Sequence, residues 1–149
     1  MCPFSGKIYD VSDAKPSIGE QIIDWVDENV AIGSWRDARD VDHLRSQGID
    51  LIVDSRILFD DSQGRDLRIP RVEHMLKVVG LMQIAAEAGA RILVRCYHGR
   101  DRSPFVAMVY LNRRYGTPYR QAYVRVKQKR DRTVFHWEWV DILEIEGKG

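Results

Sequence analysis

Cysteine is scarce in this chain. Two occur among 149 residues, Cys2 and Cys96, and neither belongs to a Cys-x-x-Cys pair or to a Cys/His set with metal-ligand spacing. That argues against a structural disulfide and against a metal site, and makes a reduced thiol the residue to explain. Long apolar runs are missing as well: no stretch of about 18 apolar residues, enough to cross a bilayer, is present. The opening "MCPFSGKIYD" carries neither a secretory core nor an Arg-rich amphipathic transit pattern. A soluble, cytoplasmic protein without membrane insertion is expected. Excess charge is lacking too. Lys and Arg number 23 against 22 Asp and Glu, a formal net charge of +1, so there is no global basic field of the kind that draws nucleic acid or anionic membranes. Nucleic acid is not an expected partner, and any recognition of an anion has to be local.

What is present is enough apolar material, 44% of residues, to bury one core but not two comfortably. Residues 1–20, polar and punctuated by Pro3, Gly6, Pro16 and Gly19, read as a loosely structured lead-in. Residues 21–149 read as a single catalytic domain.

Along that domain, strands and helices alternate. "DWVDENVAIGSW" reads as a strand pair or strand entry ending at Gly33; "RDARDVDHLRSQG" places Ala38, Val41 and Leu44 at helical spacing, with Gly48 as the stop. "IDLIVDS" is a β-branched run of strand length, followed by the polar loop "FDDSQGRD". Apolar positions from Val72 to Ala86 predict a helix over about 70–88, Gly89 ends it, and "RILV" predicts a buried strand. "SPFVAMVYLNRRYG" predicts a helix capped by Ser103 with Pro104 in its first turn; "TPYRQAYVRVKQKR" repeats that pattern from Thr117, and "HWEWVDILEIEG" supplies the last helix. Trp35, Trp137 and Trp139 are expected as packing anchors, and the basic run "RVKQKRDR" as a solvated helix face. The alternation predicts an α/β domain with a mostly parallel central sheet flanked by helices.

The thiol sits where this pattern turns. In "ILVRCYHGRDRSPF", Cys96 ends a strand and Tyr97 to Arg102 lead straight into a helix. Backbone N–H groups entering a helix N-terminus converge and carry positive partial charge. The same field favours thiolate over thiol and holds a phosphate against the sulfur. Gly99 lets the loop turn its amides inward, Arg102 offers a planar fork to two phosphate oxygens, and Ser103 can donate to the sulfur. An isolated cysteine at a strand end is usually just a small hydrophobe; the combination with Gly99, Arg102, Ser103 and a helix favours a nucleophile.

"VRCYHGRDRSP" resembles the C-x5-R-S motif of the protein tyrosine phosphatase superfamily, specifically its compact dual-specificity branch. "ENVAIGSWRDARDVDHLRSQGIDLIVDSR" is similar to that branch's opening strand, Gly-Ser-x-x-Asp-Ala turn, first helix and next strand, and "AYVRVKQKR" to its late helix. The resemblance spans roughly 25–145. It implies a dual-specificity phosphatase-like fold and metal-independent, cofactor-free removal of phosphate from phosphotyrosine in proteins, with phosphoserine and phosphothreonine left open. By it, Cys96 is the nucleophile, Arg102 and the loop residues Tyr97, His98, Gly99, Arg100 and Asp101 bind the phosphate, and Ser103 assists the sulfur. A general acid is implied on the upstream loop. The branch commonly places Leu or Ile six residues after it, which Asp61 with Leu67 satisfies; Asp66 and Asp60 are the rivals.

Two positions depart from the branch. Arg95 replaces the usual His before the nucleophile. Asp101 stands where a small or hydroxyl residue is usual and resembles some lipid and inositol phosphate phosphatases, in which it would be an alternative acid; its simpler role is to orient Arg102 or the loop. With His98 and Arg100, it raises phosphoinositides, inositol phosphates or RNA 5'-phosphate ends as alternative substrates. A phosphate-binding module without turnover is the reading from another class.

Overall fold

The computed structural model describes residues 23–147. Cys2 and the whole N-terminal lead-in, residues 1–20, lie outside the described residues. Four strands form the main sheet: β1 (Asp24–Trp25), β2 (Val30–Gly33), β3 (Leu51–Asp54) and, counting two short strands between, β6 (Ile92–Arg95). Their order is β1-β2-β6-β3, with β1 antiparallel to β2 and both β2 and β3 parallel to β6. The short strands β4 (Phe59–Asp60) and β5 (Ile69–Pro70) pair antiparallel with each other, closing the polar loop between them into a hairpin.

The centre of the sheet is apolar on both faces, as a sheet covered on both sides requires. On β2 and β6 the alternate residues Val30, Ile32, Ile92 and Val94 join the large core with α3 (Val72–Glu87), α4 (Arg102–Tyr115), α5 (Tyr119–Lys129) and α6 (Trp137–Glu146). Ala31 and Leu93, pointing the other way, pack with Leu44 of α2 (Val41–Ser46). The α/β architecture expected from the sequence is the one observed.

Several local expectations are corrected. The first helical run is two helices, α1 (Trp35–Arg39) and α2, because Asp40 (φ −86°, ψ 79°) leaves helical geometry and turns its carboxylate to the N–H of His43, capping the second. Val41, at helical spacing with Ala38 and Leu44, is 50% exposed. The cap of α4 is Asp101, which accepts from the Arg102 N–H, so Ser103 lies inside the first turn. Thr117 does not cap α5; Pro118 occupies that position with no side-chain cap. Trp139 is buried as expected, but Trp35 is only half-buried and stacks on Tyr97, with the ring centroids 5.8 Å apart.

Candidate active site

β6 delivers Cys96 to the end of the sheet, and α4 starts six residues later. Between them the loop wraps the sulfur. The Gly99 N–H donates to Sγ at 3.2 Å, the Ser103 N–H at 3.5 Å, and Ser103 Oγ lies 3.2 Å away. Donors from two N–H groups and a hydroxyl are the environment an anionic sulfur requires. Cys96 is a free cysteine, 1% exposed, so bulk water is kept from the sulfur.

Gly99 makes this possible. Its φ of +68° falls in the left-handed region, and a Cβ there would stand 2.7 Å from the Gly33 carbonyl oxygen and 2.6 Å from the Arg130 guanidinium. The strand on the other side is anchored by a capping box: Asp37 accepts from the Ser34 N–H at 2.7 Å and from its hydroxyl at 2.9 Å. The Trp35 N–H then donates to the Tyr97 carbonyl at 3.0 Å, tying that turn to the loop.

The segment after α5 holds the outer carbonyls of the loop. Arg130 donates from Nε to the Gly99 carbonyl at 2.7 Å, and from Nη1 to Asp24 at 2.7 Å and to the Ile32 carbonyl at 3.3 Å. The Val134 N–H donates to the Arg100 carbonyl at 2.7 Å. These bonds fix the Gly99 and Arg100 carbonyls of the loop whose Gly99 N–H reaches the sulfur. Arg130 was expected on a solvated face; its side chain is instead 1% exposed, with burial lowering its pKa and Asp24 opposing that shift. No local feature of "RVKQKRDR" distinguishes it, because its partners lie on β1, β2 and the cysteine loop.

Asp101 is the junction of the charged groups. Oδ1 accepts from the Arg102 N–H at 2.7 Å and lies 3.8 Å from Arg102 Nε; Oδ2 lies 3.3 Å from His136 Nε2 and 3.8 Å from Arg68. Burial would raise the Asp101 pKa, but His136 and the Arg102 N–H bring it below the ordinary value. His136 is raised, first by the Asp101 carboxylate 3.3 Å away, against burial, with Glu138 adding to the effect. Its ring stacks on Trp139 at 3.9 Å. Asp101 and His136 thus each favour the charged form of the other.

Arg95 reaches toward β3. Its Nη1 lies 3.2 Å from Asp54, the carboxylate that also takes a bidentate pair from Arg56 at 2.9 and 2.7 Å. The cation next to the nucleophile in sequence is thus engaged with β3.

A cavity of about 780 Å³ opens over the loop. Tyr97, His98, Arg100, Asp101 and Arg102 line it from the loop, Asp61, Arg65, Asp66 and Arg68 from the β4–β5 connection, and His136 and Trp139 from the start of α6. Both Asp61 and Asp66 therefore face the loop across one space. Asp60 is not among the lining residues and accepts from the Ser62 N–H at 2.9 Å, a local turn contact. Sequence reading overlooked Arg68, Arg130 and His136, each isolated from the cysteine motif along the chain.

No protein-family model and no curated protein matches the sequence. Solved structures do. Human DUSP28 superposes with a TM-score of 0.71 at 23% identity, over 91% of this chain and 100% of that one. A mouse putative dual specificity phosphatase, crystallised with zinc tungstate, gives 0.69 at 23% identity over 91% and 96%. A human tyrosine phosphatase-like serine/threonine/tyrosine-interacting protein gives 0.70 at 16% identity over 85% and 95%.

Proposed function

Given a chain with the fold of the dual-specificity phosphatases, we propose that it is a cysteine-dependent phosphate monoester hydrolase acting on phosphotyrosine in proteins, with residues 21–149 as one catalytic domain. The observation that carries the reading is the set of donors around Cys96 Sγ, with Arg102 at the start of α4 beside it.

In the first step the Cys96 thiolate attacks phosphorus in line. The bond from phosphorus to the leaving oxygen breaks with its electron pair, and Asp61 gives that oxygen its proton. Arg102 and the loop amides balance charge on the equatorial oxygens. In the second step water attacks the phosphocysteine, the S–P bond breaks to return the thiolate, Asp61 takes the proton from water, and orthophosphate leaves. Ser103, 3.2 Å from the sulfur, stabilises the thiolate as it departs. Tyr97, His98, Gly99, Arg100 and Asp101 form the rest of the phosphate cradle.

A second reading keeps this chemistry on a polyanion such as a phosphoinositide, inositol phosphate or RNA 5' end. It is favoured by the number of guanidinium groups, those of Arg56, Arg65, Arg68, Arg100 and Arg102, around one cavity. Side-by-side kcat/KM values on phosphotyrosine, phosphoserine and phosphothreonine peptides and on those polyanions decide between them. Highest turnover on phosphotyrosine peptides is expected, whereas turnover confined to the polyanions would replace the first reading with the second.

A further inference from the structure

Asp101 has more cations than it can serve. One carboxylate faces Arg102, Arg68 and His136, and its oxygens are unequally divided among them. Oδ1 is taken by the Arg102 N–H, and Oδ2 is nearer to His136, at 3.3 Å, than to Arg68, at 3.8 Å. The Arg68 distance is too long for a hydrogen bond.

Arg68 is placed to do something else. Its side chain is 12% exposed and lines the cavity, its Nε is buried without a hydrogen-bond partner, and its own carbonyl is fixed by the Trp139 indole N–H at 2.9 Å. Arg102 beside it is 13% exposed and likewise has a buried Nε without a partner. Burial, together with repulsion from Arg68 and Arg56, lowers the pKa of Arg102 against the pull of Cys96 and Asp101. Two half-buried guanidiniums held together with unsatisfied donors cost free energy until an anion enters between them.

We propose that Arg68 is a second phosphate-binding guanidinium beside Arg102, kept available to the substrate dianion because the His136 ring stands nearer than Arg68 does to the Asp101 oxygen that would otherwise bind it. This rests on the phosphatase reading of the site and adds to it a ligand from outside the cysteine loop. His136 is a positioning residue: Nε2 faces Asp101 and Nδ1 lies 3.4 Å from Glu138, so both ring nitrogens are directed at carboxylates and neither at the leaving group.

Calorimetric titration with tungstate, a tetrahedral dianion, in a Cys96→Ser background measures the anion site without turnover. Arg68→Met, which keeps the apolar stem, is expected to weaken binding about ten- to a hundredfold, the usual range for a charge-assisted hydrogen bond. Arg68→Lys should recover part of the loss. His136→Phe, which keeps the stack on Trp139, should weaken tungstate when Arg68 is present and have little effect when it is Met, a non-additivity that a general structural role would not produce. Binding within twofold of the parent in a folded Arg68→Met protein, while Arg102→Ala abolishes it, would overturn the role of Arg68 and leave the phosphate site standing. Additive effects of the two substitutions would remove the link to His136. No tungstate binding by the parent would remove the phosphate site itself, and this proposal with it.

Discussion

At the scale of single residues, the open choice lies between two carboxylates on one loop. Asp61 and Asp66 both line the cavity. Asp61 opens a turn in which its carbonyl accepts from the Gly64 N–H at 2.9 Å, and Asp66 sits in the 3₁₀ turn Arg65–Leu67. If Asp61 is the proton donor, Asp61→Asn lowers kcat on a phosphotyrosine peptide about a hundredfold or more, and Asp66→Asn changes it only a few-fold. Steady-state rates on the two variants check this, and the reverse ranking would reassign the acid to Asp66. Asp101 does not enter that comparison as an equal, because its oxygens face the Arg102 N–H and His136 and its pKa is held down rather than up.

At the scale of elements, the sheet and α4 are joined by a polar cluster distant in sequence from the cysteine motif. Asp27, in the turn between β1 and β2, accepts from the N–H groups of Asn29 and Val30 at 2.8 Å each, from Tyr110 at 2.6 Å and from Tyr115 at 2.7 Å, with Arg114 at 3.2 Å. Burial alone would raise its pKa; the hydrogen bonds from Tyr110, Tyr115, Asn29 and Val30 bring it below the usual value. A carboxylate whose folded pKa is depressed contributes stability that is present above its unfolded pKa, about 3.9, and is lost as pH falls through the folded value. Asp27→Asn is therefore expected to cost about 2 kcal/mol near neutral pH and to melt with a shallower dependence on pH below about 4 than the wild type. Thermal melts across that range test it, and parallel pH curves would contradict it. The cluster also shows which parts of the fold were readable. β2, β6 and α4 announce themselves because Val30–Gly33, Ile92–Arg95 and Phe105–Leu111 are locally apolar and bounded by turn residues. The break at Asp40 was not readable, since Ala38, Val41 and Leu44 keep helical spacing through a residue whose backbone turns aside to cap the next helix.

At the scale of the whole molecule, the proposed anion site is made by chain segments that meet only on folding. The cysteine loop was legible because its strand, Gly99, Arg102 and helix are contiguous. Its support was not: Arg130 reaches back 31 residues to Gly99, and Trp139 reaches 71 residues to Arg68. Such contacts leave no periodicity or spacing to read. The strand order β1-β2-β6-β3 is likewise a long-range fact, and it puts the Cys96 end of β6 at the centre of the sheet between the turns that follow β2 and β3. Among the described residues, no helix is long and apolar enough to cross a membrane. In the proposed function this convergence makes Cys96 a nucleophile toward phosphorus. Release of orthophosphate from an aryl phosphate in the presence of a chelator, by the wild type and by Cys96→Ser, tests it most directly. Chelator-resistant, vanadate-sensitive turnover that is lost in Cys96→Ser is the predicted result; no turnover by folded wild-type protein between about pH 5 and 8, the range in which a cysteine and a carboxylic acid can share the work, would contradict it and leave a phosphate-binding module.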